Sequence, residues 1–230
     1  MRNVLLLALL MLLPSCRGTR PSRFAEEAGP LVLVKEARLP SSEAWYVRFA
    51  THGWFDVRRG PEEPWLRIEV ITPTSGVRIR EIAPESALSD LRWGDRPVRV
   101  RGVLRGERAA EAANSLLEQA QAYSDGAYRS IPGPNSNTFV AAMAAATPHL
   151  RSTMHHNAVG KDYVSPIGFA ATPSKTGGRL DTPWLGVALG LQEGIELHLA
   201  GLQFGVGLWP PRVCIPFLPE VGPAGAANGL

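Results

Sequence analysis

The sequence predicts an α+β domain, an antiparallel sheet with a helix pair. Residues 43–59 and 65–73 alternate with a period of two on either side of the turn-forming run "GPEEP", the pattern of a β-hairpin. Residues 107–123 are rich in helix formers and put Ala110, Ala113, Leu116, Leu117 and Ala120 on one stripe. A second helix starts within "PGPNSNTFV" (132–140), where the breakers Pro132, Gly133 and Pro134 and three small polar residues run into an alanine-rich segment.

The elements follow in chain order. Residues 1–15 read as a targeting segment: Arg2 supplies the positive end, and Val4 to Leu13 is an apolar core too short to span a bilayer as a helix. Leu13-Pro14-Ser15-Cys16 resembles the lipobox of bacterial lipoproteins, with Pro14 a departure from the usual pattern. That resemblance implies lipid on Cys16. With Arg17 rather than an aspartate next, it implies a cell-envelope location, at the outer membrane facing the periplasm. The competing reading is an ordinary signal peptide with a chance cysteine.

Residues 16–30 are expected to be a tether, 31–220 a single domain and 221–230 a flexible tail. Cys214 is the only other cysteine, so a lipidated Cys16 leaves no intrachain disulfide. A hydrophobic content of 45% suffices for a core, and a net charge of +3 is too small to argue for nucleic acid. No cofactor is expected, and neither substrate nor oligomeric state is legible.

Within the domain, residues 31–40 read as a first strand, 77–84 as a short strand and 96–106 as another. The helix at "PGPNSNTFV" should end before Pro148. Residues 151–183 are rich in Gly, Pro, Ser and Thr and read as loop with short elements. Residues 184–210 are apolar, but Glu193, Glu196 and His198 make them a poor transmembrane candidate. Their alternation fits a hairpin turning at Ala200-Gly201 and is read as core strands in preference to a membrane surface.

Candidate chemistry centres on Ser136. Asn135 or Ser136 is an ideal N-cap, and capping alone would explain both. A helix start also carries free N–H groups and a positive partial charge, which suit a nucleophile and an oxyanion. A serine needs a base. Pairing the hairpin symmetrically about "GPEEP" puts Phe55 opposite Leu66 and His52 opposite Glu69, where a carboxylate could orient the imidazole. The alternative is a plain surface cross-strand pair. His149, His155 and His156 lack the spacing of a metal site, so none is expected.

Several pieces together resemble a bacterial family catalogued as a domain of unknown function, number 3750. They are "HGWFDV" at His52, "RIEV" at Glu69, "YRSIPGPNSNTFVA" from Tyr128, "VGKDY" from Val159 and the apolar run from Gly190 to Leu208. A more distant resemblance is to circularly permuted papain-like hydrolases. There a strand histidine precedes a helix-opening cysteine, with a tyrosine upstream. That likeness implies a papain-like permuted arrangement with Ser136 in the nucleophile slot, His52 as base and Glu69 as orienter. It implies that Asn135 and Asn137 shape an oxyanion site near Tyr128. Lys161 and Asp162 are read as a buried pair or cleft wall. Serine in place of cysteine leaves two readings open. One is an acyl-transfer hydrolase acting on an envelope amide or ester; the other is a non-catalytic lipoprotein that keeps the scaffold to bind a ligand or partner.

Overall fold

β1 (Leu31–Arg38) and β2 (Thr51–Arg58) are buried along nearly their whole length, which is why both read as mixed apolar and polar strands instead of one-sided ones. They form the middle of a five-stranded antiparallel sheet in the order β4-β3-β2-β1-β5, completed by β3 (Trp65–Val70), β4 (Val77–Ile82) and β5 (Val98–Arg105). The short helix α1 (Pro84–Leu88) follows β4. The structure is a computed structural model and describes residues 23–24, 26–71, 76–88, 92–124, 126–218 and 221–222. Cys16 and the targeting segment lie outside the described residues, as does most of the expected tail.

One face of this sheet carries Val32, Val34, Phe55, Val57 and Ile68. It packs against helix α2 (Glu107–Ala122) and helix α3 (Ser136–Ala146). Phe139 of α3 meets Phe55 edge-on at 6.1 Å and Tyr123 at 5.0 Å. Burying one such ring stabilises the fold by roughly 1.5–3 kcal/mol. The opposite face carries Leu31, Leu33 and Trp65, covered by Phe24 and Ala87. Phe24, within the expected tether of residues 16–30, is buried against this face, and Arg58 donates to the Glu27 and Gly29 carbonyls.

The strand expected over 43–59 starts only at Thr51; Trp45 and Tyr46 lie exposed in turns. The hairpin register also differs from the expectation. Phe55 pairs with Ile68 and Val57 with Leu66, a shift of two residues. An even shift keeps every side chain on its expected face.

The rest of the chain builds a second, six-stranded antiparallel sheet in the order β11-β10-β9-β8-β7-β6. Its strands are β6 (Gly168–Ala171), β7 (Gly177–Asp181), β8 (Leu185–Gly190), β9 (Gly194–Leu199), β10 (Leu202–Leu208) and β11 (Pro211–Cys214). β9 and β10 turn at Ala200-Gly201, both at positive φ, as expected. The faces are the reverse of the expected core strands. Asp181, Ala188, Glu196, His198 and Gln203 point inward and are buried. The cross-strand rows Leu185–Leu199–Leu202, Val187–Leu197–Phe204 and Leu189–Ile195–Val206 point outward. Ile195 is 65% exposed.

Candidate functional site

Asn135 caps α3. Its Oδ1 accepts the N–H groups of Asn137 at 2.9 Å and Thr138 at 3.2 Å, and the Asn135 N–H donates to Thr138 Oγ1 at 3.1 Å. This reciprocal pair satisfies donors that a helix start otherwise leaves free. The Asn135 amide donates to Ser130 O and Val159 O, and the Asn137 amide to Thr51 O and Val159 O, all within 3.1 Å. The Thr138 hydroxyl donates to Gly160 O at 2.7 Å. The loop at "VGKDY" is thus strapped to the helix start. A Cβ at Gly160, where φ is +87°, would collide with the Asn135 amide. Both asparagine amides are spent on this lattice, so neither is free to polarise a substrate oxygen in the expected manner.

Ser136 is buried, and its hydroxyl is hydrogen-bonded to Tyr128. Burial pushes the Tyr128 phenol up, and the Ser136 contact only partly opposes that, so the phenol stays protonated at neutral pH and is no base for Ser136. Tyr128 lines a small cavity of about 130 Å³ together with Val70, Val77, Tyr123 and Pro134.

The structure brings His52 and Glu69 together but not with Ser136. His52 Nε2 lies 3.3 Å from Glu69 Oε2. Burial alone would push the Glu69 carboxyl up. The His52 bond and the nearby Arg67 and Arg80 charges hold it below its ordinary value. The His52 ring stacks on Trp54 and Trp93, at 5.8 and 5.2 Å. The adjacent residue, Gly53, faces α3, where a Cβ would meet Asn137 and Val140. Phe55 faces Phe139. Strand alternation therefore puts the His52 ring on the face of β2 turned away from α3 and Ser136.

Sequence reasoning missed what surrounds His52. Asp56, with no exposure, accepts a fork of bonds from Arg67 at 2.7 and 3.0 Å, a bond from Trp54 Nε1 at 3.2 Å, and pairs with the fully buried Lys35 at 3.1 Å. Beside them Trp54, Arg67, Ser86, Trp93 and Val98 line an open groove of about 310 Å³, with Arg92 at its rim. The alternation Trp54–Asp56 opposite Trp65–Arg67–Glu69 was a signal that this face would be polar and aromatic.

Lys161 and Asp162 do pair, but as the edge of a larger network under the second sheet. Arg179 bridges Asp162 at 3.0 Å and Asp181 at 2.5 Å, His198 Nδ1 donates to Asp181 at 2.7 Å, and Arg212 reaches Glu196 at 3.1 Å. Burial would push the His198 imidazole down, yet the Asp181, Glu196 and Asp162 carboxylates outweigh it and raise it. Asp162 is held far below its ordinary value, since the Lys161, His198 and Arg179 charges overcome its burial. The His155 and His156 rings, read without a role, lie 4.1 Å apart and tilted by 30°, with the Asn157 N–H donating to His155 Nδ1. His149 lies at the surface beside Glu111.

Residues 32–163 match the family described as "Protein of unknown function (DUF3750)", more than half of the 230 residues. The chain belongs to that family. The family match spans the first sheet, the three helices of the described residues and the loop strapped to α3. The run from Gly190 to Leu208 lies beyond it, so that piece of the expected family pattern falls outside the matched residues. No curated protein and no solved structure matches the chain.

Proposed function

We propose that the protein is an envelope lipoprotein, held at the membrane by lipid on Cys16, that binds a ligand or partner and does not hydrolyse one. The observation that carries this reading is the placement of Ser136 and His52 on opposite faces of β2. A general base must reach its proton directly or through one water, and here a sheet intervenes. The spent amides of Asn135 and Asn137 and the protonated Tyr128 argue the same way. On this reading the likeness to permuted papain-like hydrolases is limited to three residue types, a strand histidine, a carboxylate on the next strand and a hydroxyl at a helix start, without a shared reaction centre. The groove beside Trp93, floored by the buried Trp54 and with the exposed Arg92 guanidinium at its rim, is the seat this reading gives the ligand.

The test is reaction of the purified protein with a fluorophosphonate probe. No labelling is expected. Labelling that disappears in Ser136→Ala would overturn the non-catalytic reading. The tether is checked separately by metabolic incorporation of labelled palmitate, expected in the native chain and lost in Cys16→Ala.

A further inference from the structure

We infer that the outer face of the second sheet is a membrane-docking surface, lying flat against the acyl-chain boundary of a phospholipid bilayer. Every strand residue on this side is aliphatic, aromatic, alanine, glycine or proline, from Phe169 on the β6 edge to Val213 on β11. Phe169 is 82% exposed. The charged residues of the strands, Arg179, Asp181, Glu196, His198 and Arg212, all lie on the other side, paired with one another. A sheet with its ion pairs inside and its apolar side in solvent is inverted for water and correct for lipid.

The face is about 25 Å across its six strands and about 20 Å along them. Strands of 4 to 7 residues are shorter than the roughly 9–11 needed to span a bilayer. The inward side is also covered: Gly201 lies against Pro132 and Gly160, and Arg179 reaches Asp162. The sheet therefore cannot stand across the membrane and presents only one side to it. Trp184 and Trp209 sit at opposite ends of the strands and are exposed, the placement by which indole rings anchor a protein at the headgroup level. A second copy of the chain is the rival occupant. Interfaces between copies keep about a third of their area polar, whereas this face has no polar side chain. On the proposed function, lipid on Cys16, seven residues before the first described one, holds the chain at a membrane. The choice of bilayer over second copy rests in part on that tethering.

The experiment uses the full mature protein on vesicles of phosphatidylethanolamine and phosphatidylglycerol whose acyl chains carry bromine near the headgroup. Tryptophan emission should be quenched, and the quenching should vanish in Trp184→Phe/Trp209→Phe. Val187→Glu/Leu197→Glu, at exposed positions, should keep the far-ultraviolet dichroism and cut the quenched fraction at least about tenfold. Vesicle flotation reads the tether apart from docking. If Cys16→Ala no longer floats while the native protein floats and is quenched, tether and docking both stand. Protein that floats without quenching, or quenching indifferent to both pairs of substitutions, overturns the docking surface. Sedimentation as a dimer that Leu197→Glu dissociates, again without quenching, assigns the face to a second copy instead.

Discussion

His52 and Glu69 bond along a diagonal of the first sheet and not across a rung. The observed register pairs Phe55 with Ile68, which sets Glu69 opposite Trp54 and two residues away from facing His52, yet Nε2 and Oε2 still meet at 3.3 Å. Diagonal neighbours on one face lie within reach of long side chains. The pair is closed by Trp54 and Trp93 on one side and by Arg80, 3.4 Å from Glu69, on the other.

This arrangement predicts that Ser136 and His52 are energetically independent. Ser136→Ala removes the Tyr128 partner and should cost about 1 kcal/mol. His52→Ala removes the Glu69 bond and the ring stack and should cost more. Residues on opposite sides of a sheet with no shared partner add within about 0.5 kcal/mol. Urea unfolding of the two single variants and the double variant measures this. A coupling well above that limit would mean the hydroxyl and the imidazole do communicate.

The buried ion cluster on the same face predicts a larger loss. Asp56 holds Lys35 and Arg67 at once, and both Lys35 and Asp56 have fully buried side chains. Asp56→Asn keeps the shape but leaves the two cations without their counter-charge. Removing one partner of a buried pair costs about 3–5 kcal/mol. Thermal unfolding of Asp56→Asn should show a drop of many degrees, while replacing the exposed Glu63 of the Arg59–Glu63 pair should change little.

How far the sequence was legible depends on which physical rule each element obeys. Helix α2 follows composition and periodicity and appears within one residue of its expected end. The α3 cap is equally local: Asn135 and Thr138 lie three residues apart and bond reciprocally. The β2–β3 register was two residues off because loop length does not set pairing. The His52–Glu69 contact survived because two is the side-chain period. Ser136 was another matter. Its relation to His52 depends on which side of β2 the helix lands, and alternation reports a period without naming the side that is covered. The same ambiguity reversed the second sheet, where the alternation was present but its apolar side was taken as the core.

Two histidines predict opposite pH responses. Burial, with the His156 and nearby arginine charges, pushes His155 down to about 2. The unfolded chain takes up a proton below about 6.5 that the folded chain refuses. The stability His155 contributes is therefore complete above that pH and declines as pH falls, by about 1.4 kcal/mol per unit. His198 is raised, so its contribution is complete below about 6.5 and is lost as pH rises through its folded value. Urea unfolding at pH 4.5, 6 and 8 should place the stability maximum near neutrality. His155→Gln should flatten the acid limb, and His198→Gln the alkaline one.

The inverted sheet makes a last prediction at a glycine. Gly186 sits between Asp181 and His198 in the cross-strand register, and a Cβ there would occupy the place of the Asp181 carboxylate and crowd His198 Nδ1. The collision is with two side chains locked together by a 2.7 Å bond, and Arg179 holds Asp181 from its other side. Neither can withdraw without breaking a buried charged contact. Gly186→Ala should therefore destabilise by at least about 2 kcal/mol, although alanine suits a strand better than glycine does. Gly178→Ala is the control: it lies on the outer side of β7, where a Cβ would meet the Phe169 ring and the Ala170 carbonyl at ordinary contact distance. Thermal unfolding of the pair separates the two sides. A large loss at Gly186 with little change at Gly178 is the result expected of a sheet whose tightly packed side is the polar one.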